Sequence, residues 1–196
     1  MIKVNVEVNN KSWNKKIKNP KRYFSKKVKK ISEIVKFFKK KDITFTILLT
    51  SSLNMRKLNK KFRNRNKPTD ILSFPSLPAN NIKFIKEKKF YIGDLAASYE
   101  IINFRSKKSN FLLEFDKVWV HGLLHLIGYN HVKNKDYFEM NKVEKKILNS
   151  INLLWGFNLI ALLDNKFFVI FFAPFILGAI SVLGFAPYNL TIINFF

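Results

Sequence analysis

The chain has three histidines in 196 residues, all inside one eleven-residue window, His121-Gly-Leu-Leu-His125-Leu-Ile-Gly-Tyr-Asn-His131. Residues four apart on a helix project from one face, with rings near enough to share an ion. Gly128 follows, the residue type that ends a helix in a left-handed cap and lets the chain double back to a third ligand. Three neutral imidazoles with one position left to water describe a catalytic zinc site, because a closed structural site normally takes a fourth ligand from cysteine. The chain has no cysteine. That absence also excludes disulfides and a thiol nucleophile. The competing reading, three unrelated histidines with His125 a satisfied core residue between Leu124 and Leu126, leaves the spacing unexplained.

A zinc peptidase of the usual kind places Glu directly after the first histidine as general base to the activated water. Here that position is Gly122, which disfavours peptide hydrolysis, although Asp70 or Asp94 could bring a carboxylate from elsewhere. The surrounding blocks resemble the YbeY endoribonuclease family. Its histidine signature is His-Gly-x-Leu-His-Leu-x-Gly-Tyr-Asp-His, and Lys60-Lys-Phe-Arg63-Asn-Arg-Asn-Lys-Pro68-Thr-Asp70-Ile-Leu-Ser73-Phe-Pro75 and Ile92-Gly-Asp94-Leu95 are similar to two further blocks, in the expected order.

The resemblance covers about residues 1–150. It implies a single-strand endoribonuclease that matures the 3′ end of small-subunit (16S) rRNA and serves ribosome quality control. One zinc ion would be held by His121, His125 and His131, with Arg63 matching the family's required arginine. His121 and Arg63 are thus the expected catalytic residues. The implied partners are rRNA, the small ribosomal subunit and ribosome-associated proteins. The chemistry agrees: zinc lowers the pKa of water, and a guanidinium can stabilise charge developing on a phosphodiester. In one departure, Asn130 stands where the family has Asp before the third histidine, so an amide replaces a charge beside the site. Two alternatives stay open, a non-catalytic ribosome-binding zinc module and a membrane-tethered metallopeptidase.

These residues need a scaffold. Ile2 to Val8 alternate, and Ile43 to Leu49 form a β-branched and aromatic run, so both read as strands, with Ile71 to Phe74 and Tyr91 to Ala97 as shorter ones. Val28, Ile31, Ile34, Val35 and Phe38 recur at helical spacing. Ser51 or Ser52 can cap a helix carrying Leu53, Leu58 and Phe62. Further helices are predicted at Ile101 to Phe104, Phe111 to Ile127 and Asp136 to Leu148. Strands and helices interleave without strict alternation. The expected class is α+β, a small mixed sheet packed by helices, with the three-histidine site on a helix and its following loop.

Every Lys and Arg except Lys166, and every acidic residue except Asp164, falls within residues 1–150, so the net charge of +23 belongs there. Such an excess suits a polyanion, nucleic acid or an anionic membrane surface, in competition with lysines that merely solvate exposed faces. The N-terminus reads as a strand and not as a secretory signal, which places the basic unit in the cytoplasm. Residues 151–165 read as an apolar linker and 166–196 as a transmembrane segment tethering the unit to the inner membrane. Leu177-Gly-Ala-Ile-Ser-Val-Leu-Gly-Phe-Ala-Pro-Tyr-Asn resembles the first membrane segment of apolipoprotein N-acyltransferase, whose cysteine nucleophile this chain lacks. The tail is expected to be either a tethered fusion or a fragment of a longer reading frame.

Overall fold

The computed structural model describes residues 1–39, 41–78, 87–131 and 133–152. Met1–Asn152 forms one compact unit. The expected membrane segment and nearly all of the linker lie outside the described residues, and no helix among the described residues is long and apolar enough to cross a membrane.

Four strands form one sheet: β1 (Ile2–Val8), β2 (Asp42–Thr50), β3 (Ile71–Pro75) and β4 (Lys89–Ser98), in the order β1-β2-β4-β3. β1, β2 and β4 run parallel, and β3 pairs antiparallel with β4 at the edge. The sheet is mixed, as expected. Alternation along β2 sends Ile43, Phe45, Ile47 and Leu49 into the main core. There they meet α1 (Pro20–Ile34), the long helix α5 (Phe111–Leu126) and α6 (Asn134–Asn152). A smaller cluster on the opposite face packs Met55 of α3 (Ser52–Arg63) on Leu72 and Ala96.

Two helices differ from expectation. The first stops at Ile34, because the β-branched Val35 takes an extended backbone (φ −89°, ψ 116°) before the one-turn helix α2 (Lys36–Lys39). Both Val35 and Phe38 remain buried across the break. In α3, Ser51 caps the helix as predicted, but Leu53 and Phe62 are exposed, and Met55 and Asn59 are the buried residues. The Asn59 amide is drawn inward because it donates to the Lys67 carbonyl at 2.7 Å, fixing the loop after the helix.

β4 carries a bulge. Thr44 pairs with Tyr91 and Phe45 with Gly93, leaving Ile92 as an extra residue. Gly93 has φ +128°, and a Cβ there would lie 2.1 Å from the Phe74 carbonyl oxygen. Gly93→Ala is therefore expected to cost at least about 2 kcal/mol of stability, combining backbone strain with a backbone clash. A urea titration in which Gly93→Ala unfolds at the parent's midpoint would refute this.

Candidate metal centre

Helix α5 begins where Asn110 accepts the Leu112 N–H at 2.8 Å, and it is apolar over most of its circumference because it lies inside the fold. Gly122 brings it close to the sheet. A Cβ at this position would sit 3.0 Å from both Ile71 Cγ1 and Leu95 Cδ2, and the Ser73 hydroxyl donates to the Gly122 carbonyl at 3.2 Å. A side chain here would crowd Ile71 and Leu95, so the close approach of α5 to β3 and β4 favours glycine where a peptidase carries glutamate.

The end of α5 is a Schellman turn. The Tyr129 N–H donates to the Leu124 carbonyl at 3.0 Å and the Gly128 N–H to that of His125 at 3.1 Å, while Gly128 adopts the predicted left-handed conformation (φ +89°). The same turn aims the Tyr129 carbonyl at the His125 ring, which places its Nδ1 2.9 Å from that oxygen. The chain then reverses to His131, as the glycine predicts.

All three histidines converge. One ligand nitrogen from each lies within 4.8 Å of the others, and the ring centroids are 4.7 to 5.5 Å apart. His125 Nδ1 faces a carbonyl, and His121 Nδ1 faces the Glu144 carboxylate of α6 at 3.3 Å. Neutral rings with the hydrogen on each Nδ1 would turn two Nε2 lone pairs toward one another at 3.1 Å. Two acceptors that close repel unless a cation lies between them, so the donor set fits a metal ion. Burial holds the His125 imidazole below its ordinary range and neighbouring His121 adds to this, while the Tyr129 carbonyl opposes it. The neutral, ligating form is favoured.

His121 and His125 open into a cleft of about 450 Å³ that is also lined by Arg63, Asp70, Ser73 and Arg105. Arg63 is the last residue of α3 and is exposed. The chain turns sharply after it because Asn64 is left-handed (φ 54°). Asp70 is in the cleft, paired with the Arg105 guanidinium and accepting from Thr69 Oγ and the Ile71 N–H at 2.9 Å each. Burial opposes its ionisation, but those hydrogen bonds and the Arg105 charge win and hold its carboxyl below the usual carboxylate range. Asp94 is not in the site. The bulge turns it onto the opposite face of the sheet, where it pairs with Tyr91 beside Thr46.

Arg105 and Glu144 escape a reading of the sequence by motif. Arg105 reaches the cleft through tertiary placement of α4 (Tyr99–Arg105). Glu144 did leave a trace, as a carboxylate between Met140 and Ile147 on the apolar stripe of α6, where a charge needs a partner.

The sequence profile of the family described as "Endoribonuclease YbeY" matches residues 7–152, which contain the cleft and all three histidines. The chain belongs to the YbeY endoribonuclease family. The endoribonuclease YbeY of Pelagibacter ubique is 44% identical over 155 residues, covering 77% of this chain and 97% of the relative. That of Buchnera aphidicola from Acyrthosiphon pisum is 40% identical over 147 residues, 74% of this chain and 85% of the relative. The solution structure of TM1509 from Thermotoga maritima shares the fold, with a TM-score of 0.51 at 24% identity over 77% of this chain and 89% of that one. The YbeY match ends at residue 152, so the acyltransferase likeness of residues 177–189 gains nothing from it.

Proposed function

We propose that the chain is a metal-dependent endoribonuclease specific for single strands. It acts in the cytoplasm on the 3′ end of small-subunit rRNA, with the small ribosomal subunit and ribosome-associated proteins as partners. The working unit is residues 1–150. The observation that supports this reading is that Arg63 lines the same cleft as His121 and His125, two members of a histidine group that could hold a metal ion.

His121, His125 and His131 would hold one zinc ion as neutral donors. When bound, zinc supplies Lewis acidity and lowers the pKa of water toward neutrality. Arg63 positions a phosphodiester by donating two N–H groups to its oxygens and stabilises the charge that develops there. Asp70 keeps Arg105 oriented along the same wall. The basic surface of the unit draws the polyanion in without reading its sequence.

The test uses the purified full chain on single-stranded rRNA carrying the 16S 3′ end. Chelation should abolish cleavage, and zinc should restore it. Arg63→Ala should lower the rate by about 10²-fold, the scale for removing one preorganised donor, with metal content unchanged. Cleavage that survives chelation would overturn the assignment. A parent chain that binds ribosomes and zinc but cuts no RNA would favour the non-catalytic module instead, with Asn130 in place of the family's aspartate as the suspect residue.

A further inference from the structure

The two helices that wall the cleft are built alike. On α3, Asn59 and Arg63 line it, and on α4, Ile101 and Arg105 do so, each pair four residues apart. In each case the residue just before the arginine is an exposed phenylalanine, Phe62 at 55% and Phe104 at 67%. Such a residue stands about 60° around the helix from the first member of the lining pair, at the flank of the cleft and not inside it. Each ring also has an ammonium over it: Lys61 Nζ is 5.2 Å from the Phe62 centroid, and Lys107 Nζ is 4.9 Å from that of Phe104.

A lone exposed apolar residue is ordinary. Two exposed rings, each with its own cation and each next to a cleft arginine, have the composition of a single-strand nucleic-acid track, in which bases stack on aromatic faces while cations follow the phosphates. We infer that the cleft extends outward onto two base-stacking platforms, Phe62 and Phe104, which grip unstacked nucleotides on either side of the phosphodiester held at Arg63. Each lysine would yield its ring face to the incoming base and move to the neighbouring phosphate. Bases in a duplex are already stacked and cannot reach the rings, so these platforms would favour single strands. The inference rests on the ribonuclease reading and adds to it where the flanking nucleotides sit.

Binding of the full chain to a fluorescent 2′-O-methyl oligouridylate, alone or annealed to its complement, tests this without turnover. Phe104→Leu keeps an apolar side chain but removes the π face, and it should weaken binding of the single strand by about 5- to 100-fold. Phe104→Trp should bind like the parent or tighter, and duplex binding should not change. Phe62→Leu should act in the same direction, with a thermal melt to check its edge-on packing against Phe74 at 5.0 Å. If Phe104→Leu binds the single strand as the parent does, or loses the duplex equally, the platforms are refuted. A parent that binds neither probe would sink the ribonuclease reading itself, whereas a parent that prefers the single strand while Phe104→Leu matches it removes only this inference.

Discussion

Replacing His121 with alanine should strip the chain of its metal, lowering the bound stoichiometry from about one ion per chain to near zero. RNA cleavage should be lost with the metal, a fall of at least roughly two to three orders of magnitude, the scale for losing a preorganised electrostatic stabiliser. The reason lies in how the site is assembled. His121 and His125 face each other through Nε2 atoms 3.1 Å apart, and each has an acceptor beside its Nδ1. Removing either ring leaves two donors, too few for a three-histidine site with an open position. The fold itself should survive, since the His121 side chain is one-third exposed and the helix around it is held by Gly122, Leu123 and Leu124 in the core. Added zinc separates the two effects. A ligand that binds only the folded state stabilises it by about 4 kcal/mol at a thousand times its dissociation constant, so the parent's melting temperature should rise with zinc. That of His121→Ala should not. A variant that still binds one ion after dialysis and still shows the zinc-dependent rise would remove His121 from the ligand set.

Legibility followed sequence distance. The histidine cluster was readable because all its ligands and its turn are local, and because Gly128 has few conformational roles other than the one it plays here. The first strand was readable from alternation and the second from its β-branched and aromatic run, both local patterns. The cleft was not. Arg63 and Arg105 are far apart in sequence and meet only because β3 pairs antiparallel with β4 and brings α4 beside the end of α3. Periodicity also misses short elements. The short 3-10 helix Lys11–Lys15 buries Trp13 completely, with its indole N–H donating to the Thr50 carbonyl at 3.0 Å and its ring packed on Tyr99, Phe111 and Phe115. So short an element carries no repeat to detect. Asp94 illustrates the opposite failure. It looks like an active-site carboxylate by composition, and only the bulge at Ile92 shows that it faces away.

Asp116 should prove the residue on which the stability of the histidine helix depends most. It is fully buried in α5, and three donors converge on it: the Tyr23 hydroxyl at 2.6 Å, the Trp119 indole N–H at 2.8 Å and the Lys27 ammonium at 2.5 Å. Burial and the adjacent carboxylate push the Tyr23 phenol up, so it remains a neutral donor. Lys27 in turn reaches Asn152 Oδ1 at 3.1 Å, which ties α1 to both α5 and the end of α6. Asp116→Ala takes the acceptor from all three donors and leaves a Lys27 side chain only 13% exposed without its counter-charge. The expected loss is about 3–5 kcal/mol, the cost of breaking one half of a buried pair. The pair as a whole need not be worth that much, because desolvating both charges offsets most of their attraction. Lys27→Met combined with Asp116→Leu should therefore recover the part of the loss that comes from the orphaned ammonium, while the Tyr23 hydroxyl and the Trp119 indole N–H stay without their acceptor. Urea titrations of the parent, the single variant and the double variant decide the matter. If Asp116→Ala costs under about 1 kcal/mol, the network does not hold the helix. If the double variant is no better than the single, the loss comes from the shape of the site or the two other donors and not from the orphaned ammonium. His121 lies five residues beyond Asp116, about 7.5 Å along the same helix, so a loosened α5 would also blur the register of the histidines. Weaker zinc binding by Asp116→Ala, recovered in part in the double variant, would follow from that coupling.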